Sequence, residues 1–150
     1  MIVEVRTKGI LCEQGGLVKI KGRLYVNTMS GFDNTLIKEW EVFSTFSEGL
    51  LHSALHGDER PITLADGDYL YYPTVFSVTL AAPWNRPPDY LKIGGYLITD
   101  FYDIDKYQYQ VIKVEELNKD NFKTYWIRFD EGNRTVFAEF ELKLIDDSHT

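Results

Sequence analysis

A chain of 150 residues, 44% hydrophobic and 26% charged, is long enough to bury a core without staples and too apolar to remain an extended coil. Its 16 basic and 23 acidic residues leave a net charge of −7, the wrong sign for a surface that grips phosphates, so nucleic acid is not an expected partner. Its single cysteine, Cys12, excludes an internal disulfide and a cysteine-based zinc cluster.

Taken in chain order, Ile2 to Arg6 reads as a first short strand. Glu4 and Arg6 interrupt its apolar run, so the basic start and ~7–15 apolar residues of a signal peptide are absent. No stretch approaches the ~20 apolar residues of a membrane span. The expectation is a soluble chain, cytoplasmic or part of a virion, not secreted by a signal peptide and with no membrane partner. Leu17 to Lys21 and Leu24 to Asn27 are two further strands, joined across Lys21-Gly22-Arg23. Leu36 to Phe46 is ambiguous, because its β-rich composition favours a strand while Leu36, Trp40 and Phe43 also fit one helical face. Ser47 to Leu55 is the one expected helix, capped by Ser47, striped by Leu50, Leu51, Ala54 and Leu55, and stopped by Gly57.

Ile62 to Ala65 and Tyr69 to Tyr72 flank Asp66-Gly67-Asp68, the pattern of a tight hairpin. Phe76, Val78 and Leu80 form one inward face. From Asp89 onward the pattern predicts a meander of four or five strands. Tyr96 to Ile104 follows Gly94-Gly95, and Tyr107 to Val114 changes the parity of its apolar face, which suggests a bulge. Tyr125, Ile127 and Phe129 alternate with Thr124, Trp126 and Arg128. Val136, Ala138, Phe140, Leu142 and Leu144 then alternate with Glu139, Glu141 and Lys143, a half-buried antiparallel strand. Gly132 and Asn133 supply the turn between these last two. Nine or ten strands and one short helix predict a mainly-β, meander-rich antiparallel barrel or sandwich in a single domain.

Few residues combine into chemistry. His52 and His56 share one face of the expected helix, with Asp58 and Glu59 beyond them, but Ser53 stands where a zincin motif has glutamate. The remaining histidine, His149, lies in the tail. No metal or other cofactor is therefore expected, and a small metal-dependent enzyme using His52 and His56 is kept only as an alternative. Cys12 has Glu13 beside it, which raises a thiol pKa rather than activating it. Gly15-Gly16 and Gly94-Gly95 fall short of a phosphate loop, and Asp100, Asp103 and Asp105 punctuate a strand end. No catalytic residue is assigned.

Aromatic density, at 15%, is the more informative feature. Tyr71 and Tyr72 cluster with Tyr69 and Pro73, while Tyr102, Tyr107 and Tyr109 flank a second link. The segment Ala82-Pro83-Trp84-Asn85-Arg86-Pro87-Pro88-Asp89-Tyr90 is stiffened by three prolines. Tyrosine, tryptophan and arginine are the side chains that anchor protein interfaces. Trp84, Arg86, Tyr90, Tyr71 and Tyr72 are therefore the candidate partner-binding residues, with Trp84 and Arg86 held outward. The alternative packs Trp84 down as a lid on the barrel end. The partner would be another protein or further copies of this chain.

Residues 91–117 carry a glycine-led strand, a short polar link and the run Tyr109-Gln110-Val111-Ile112-Lys113-Val114. This pattern resembles that of the small β-barrel head-closure and tail proteins of tailed phages, which implies an assembly role in a virion. The expected function is thus a non-enzymatic interaction or assembly subunit. A second alternative is an acidic inhibitor or immunity protein that mimics nucleic acid and blocks a basic toxin or nuclease; it would need a one-sided carboxylate patch.

Overall fold

The computed structural model describes residues 1–47, 58–59, 61–98 and 106–147. In chain order their strands are β1 (Ile2–Gln14), β2 (Leu17–Ile20), β3 (Arg23–Met29), β4 (Leu36–Ser44), β5 (Phe46–Ser47), β6 (Asp58–Glu59), β7 (Ile62–Ala65), β8 (Tyr69–Thr79), β9 (Tyr90–Tyr96), β10 (Gln108–Ile112), β11 (Lys123–Glu131) and β12 (Arg134–Asp146). One 3-10 turn, Val114–Glu116, separates β10 from β11. The fold is mainly β, with every ladder between named strands antiparallel. Two four-stranded sheets run in the orders β11-β12-β1-β8 and β10-β9-β3-β4, an open barrel or sandwich rather than a closed one.

The strongest sequence pattern gives the best-formed element. Val136, Ala138, Phe140, Leu142 and Leu144 are buried on β12, and Tyr125, Ile127 and Phe129 are buried on β11. The two pair from Lys123 opposite Leu142 to Glu131 opposite Arg134, around Gly132 at φ 63°. β1 then pairs with β12 on one side and β8 on the other, over twice the length expected. Its inward face is odd through Val3, Val5 and Thr7, then even at Ile10 and Cys12. The change falls at Lys8, where the register shifts against both neighbours. Tyr72 and Pro73 of β8 lie opposite that bulge, a place where proline's missing N–H breaks no ladder bond. The Thr7 hydroxyl closes the gap by donating to the Tyr72 carbonyl at 3.0 Å.

Two expected hairpins are corrected. Asp66-Gly67 does make a tight turn, with the Asp68 N–H donating to the Ala65 carbonyl at 2.9 Å, but β7 and β8 do not pair across it. β7 pairs with β2 instead, and β8 with β1. The β1–β8 ribbon thus bends at a corner and continues as β2–β7. Cys12 and Asp68 or Gly67 exchange backbone bonds at 2.9 and 2.8 Å just before the bend, and Gly16 N–H donates to Asp66 Oδ1 at 2.9 Å. Corners of this kind let one ribbon serve two layers. For the same reason Lys21-Gly22-Arg23 is not a hairpin turn, since β3 leaves β2 to pair with β4 and β9.

The meander after Asp89 is also corrected, because β9 and β10 belong to one sheet and β11 and β12 to the other. Gly94-Gly95 lies inside β9, at φ 142° and 149°, instead of leading a strand that starts at Tyr96. β10 pairs with β9 without a register shift, so the parity change there is no bulge. It arises because Tyr107 and Tyr109 face outward while Ile112 and Val114 are buried. The ambiguous segment is a strand, β4. Ser47 belongs to β5, and the rest of the expected helix, with His52 and His56, lies outside the described residues, as do residues 99–105 and His149.

Along the open side of the molecule, β4 and β8 meet through side chains. Phe43 contacts Tyr72 edge-to-face at 4.6 Å between ring centres, and Trp40 packs on Phe76 at 5.7 Å. Tyr69 secures the other face. Its ring lies against Gly9, where a β-carbon would come within 2.6 Å, and its hydroxyl donates to Glu139 Oε1 at 2.6 Å on the strand beyond.

Candidate protein-docking surface

The proline-braced segment leaves β8 at one end of the molecule. Leu80 N–H donates to the Met1 carbonyl at 2.8 Å, and the Met1 ammonium returns a bond to the Leu80 carbonyl. Ten residues after Leu80 the chain enters β9 at Tyr90. Between them Asp89 organises the loop. It is only 5% exposed, and its carboxylate accepts from Gly31 N–H at 3.0 Å, Arg86 Nη1 at 3.0 Å and Ala81 N–H at 3.3 Å. Its own N–H donates to the Ala81 carbonyl at 2.9 Å. One carboxylate thereby binds the start of this loop, its own arginine and the neighbouring β3–β4 loop.

That neighbouring loop, residues 30–35, is set by its polar side chains. Asp33 Oδ1 accepts from the Thr35 hydroxyl at 2.7 Å and the Thr35 N–H at 3.2 Å, an Asx-type turn. Asn34 takes φ 62°, which asparagine tolerates, and its amide oxygen accepts from the Tyr90 hydroxyl at 3.0 Å. Gly31 sits backbone to backbone against the proline loop. A β-carbon there would collide with the carbonyl oxygens of Pro87 and Pro88.

Two aromatic side chains are left over by this bonding. Trp84 is 95% exposed and Phe32 is 76% exposed, on the two loops that Asp89 ties together. Leu36 and Ile37, at the start of β4, are exposed just beyond Phe32. Large apolar groups held in water on braced loops lose little conformational entropy when covered, which is the physical profile of an interface anchor. Beside them, the Thr35 hydroxyl and amide hold the Asp33 carboxyl below its ordinary pKa, so the tip stays anionic.

The five candidate residues do not form one patch. Trp84 is outward and the lid alternative fails. Arg86, expected outward, turns back to pair with Asp89 and donates to the Pro87 carbonyl at 3.1 Å. Tyr90 is buried, with Lys113 Nζ 4.5 Å from its ring centre, and supports the tip from beneath. Tyr71 and Tyr72 sit at the far end of β8. Eight strand positions separate Tyr71 from Thr79, about 26 Å at 3.3 Å per residue. Phe32 was missed by sequence reasoning. The signal was present in Ser30-Gly31-Phe32-Asp33-Asn34, an aromatic in the middle of turn-forming residues where no core position is available.

The other constellations serve structure. Cys12 is buried on β1, and burial raises its pKa, with Asp66 and Asp68 adding to the effect. Among the described residues no group of three or more His, Cys, Asp or Glu side chains could hold a metal ion. No helix among them is long and apolar enough to cross a membrane. The opening behind Phe43 and Tyr72, lined also by Thr7, Ile10 and Phe140, has room for about one water molecule. On the outer face of the second sheet, Tyr96 and Tyr107 pack at 4.7 Å and Tyr107 and Tyr109 at 6.1 Å. Burial raises the pKa of Tyr25, Tyr96 and Tyr107, and pushes that of Tyr109 up to about 12.

These raised values carry a sign. The folded chain holds the phenol protons more tightly than the unfolded chain. Their contribution is complete below the ordinary phenol value of ~10 and is lost as pH rises through the folded values. The urea midpoint should therefore fall on moving from neutral pH to about pH 11, and a Tyr109→Phe variant should fall less.

No protein-family model, curated protein or solved structure matches this chain.

Proposed function

We propose that this chain is a non-enzymatic interaction or assembly subunit that engages a protein partner through the tip formed by Trp84 and Phe32. The observation that carries this reading is the 95% exposure of Trp84 on a loop fixed by a buried carboxylate. A free tryptophan in water on a rigid support is an unpaid hydrophobic surface waiting for a complementary pocket. The partner this tip fits presents an apolar cleft beside lysine or arginine, since Asp33 remains ionised next to Phe32. A virion component is the specific assembly suggested by the resemblance of residues 91–117.

The acidic-inhibitor reading is less well supported. On the outer face of the first sheet, Glu4 pairs with Arg6 at 3.0 Å and Glu141 with Lys8 at 3.7 Å, so acid and base interleave. The test is Trp84→Ala in the full chain. The melting temperature should stay within a degree or two of wild type, while capture of the wild-type chain's partner from source cells is lost. Unchanged capture by a folded Trp84→Ala chain would remove the tip from the proposal.

A further inference from the structure

We propose that β8 is a self-pairing edge: two copies of this chain join antiparallel along Val75–Thr79, about a two-fold axis at Ser77. The proposal specifies the self-association arm of the interaction role and does not depend on Trp84.

β8 is bonded to β1 on one side; on the other, among the described residues, no strand is bonded to it, and β4 meets it only through the inward side chains of Phe43 on Tyr72 and Trp40 on Phe76. An open edge of eleven residues presents unpaired N–H and C=O groups, and soluble proteins usually protect such edges with charges, shortness or a covering element. Among the described residues, the other three edge strands of the two four-stranded sheets show those defences. β4 carries Lys38, Glu39 and Glu41; β11 carries Lys123, Arg128, Asp130 and Glu131; β10 has only five residues. β8 reads Tyr-Leu-Tyr-Tyr-Pro-Thr-Val-Phe-Ser-Val-Thr, without one charged side chain. Beyond Pro73 its run Thr-Val-Phe-Ser-Val-Thr is made of residues that favour strands. In a molecule of net charge −7, an uncharged edge is also the place where two copies approach with least repulsion.

The register follows from two constraints. Opposed residues of an antiparallel pair point to the same face, so the inward Phe76 and Val78 must meet inward residues of the second copy. This requires a two-fold axis through a residue rather than between residues. Pro73 has no N–H, so the paired stretch must exclude it. Axes at Phe76 and Ser77 each keep five residues of β8 clear of Pro73; the axis at Ser77 sets Phe76 against the smaller Val78 rather than against its own copy, and pairs Val75 with Thr79 and Ser77 with itself. The β11-β12-β1-β8 sheets of the two copies would then join into one sheet of eight strands.

Sedimentation of the full chain over a micromolar to high-micromolar range tests this directly. Wild type should form a dimer. Ser77 is exposed, and Ser77→Lys or Ser77→Glu sets like charges face to face across the axis, so each alone should weaken dimerisation at least tenfold. An equimolar mixture of the two should restore a heterodimer. In wild type, amide exchange over residues 75–79 should slow with concentration, a readout that needs no variant. A monomer throughout the range overturns the proposal, as does a dimer indifferent to both substitutions. A dimer that survives Ser77→Lys but is lost in Trp84→Ala assigns self-association to the tip and overturns the edge.

Discussion

Phe140→Ala should lower the unfolding free energy by ~3–5 kcal/mol, the range for a large buried aromatic cut to alanine. Phe140 is 1% exposed, at the middle of the five-residue buried face of β12. It stands opposite Thr7 on β1 and Tyr125 on β11, so its ring fills the space under three strands at once. It also borders the small opening behind Phe43 and Tyr72, which limits how far the surroundings can collapse into the void. With total stabilities of ~5–15 kcal/mol, such a loss brings a domain near unfolding at physiological temperature. Urea denaturation measures it. A shift below about 1 kcal/mol would mean that this face is not the packed interior.

Asp89→Ala should be the most damaging substitution at the tip, by ~2–4 kcal/mol. It removes the acceptor of two backbone N–H groups and leaves Arg86 without its carboxylate, and each orphaned partly buried donor costs about 1–3 kcal/mol before water relieves some of it. The effect is also specific in place. Amide exchange should accelerate at Gly31 and Ala81, because the two loops lose their common anchor, while the β11–β12 hairpin stays protected. Asp89→Asn retains an acceptor and should lie between the two. An unchanged Gly31 exchange rate in Asp89→Ala would show that the loops hold each other without the carboxylate.

The sequence patterns that proved legible are those whose partners are local. Val136 to Leu144 alternates over nine residues beside a two-residue turn, so face, partner and register all follow from one stretch. Asp66-Gly67-Asp68 was equally legible as a turn, yet the strands on either side part into different layers. Local chemistry specifies the bend of the backbone, but not whether the flanking strands stay together. That is decided by β1 and β2, fifty residues away, which claim β8 and β7. The bulge at Lys8 was invisible for a related reason. The switch from Thr7 to Ile10 on the inward face passes through Gly9, which carries no hydropathy to reveal parity.

The tip was half legible. Three prolines around Trp84 mark a stiff loop, but nothing in Arg86 or Asp89 alone says that they bind each other. Asp89 also reaches Gly31, fifty-eight residues away in the chain, and this contact brings Phe32 beside the tryptophan. Tyr71 and Tyr72 were grouped with Trp84 by composition, and a strand of known rise separates them.

The measurement that tests the docking account most directly is photo-crosslinking from a single site in the full chain, in the cells that make it. A crosslinker at exposed Asn85 lies beside Trp84; one at exposed Lys19 lies beyond the corner, at the opposite end of β1. A discrete heavier adduct is expected from position 85, absent from position 19 and abolished by adding Phe32→Ala to the same chain. Adducts from position 19 alone, or from position 85 with full yield after Phe32→Ala, would contradict it.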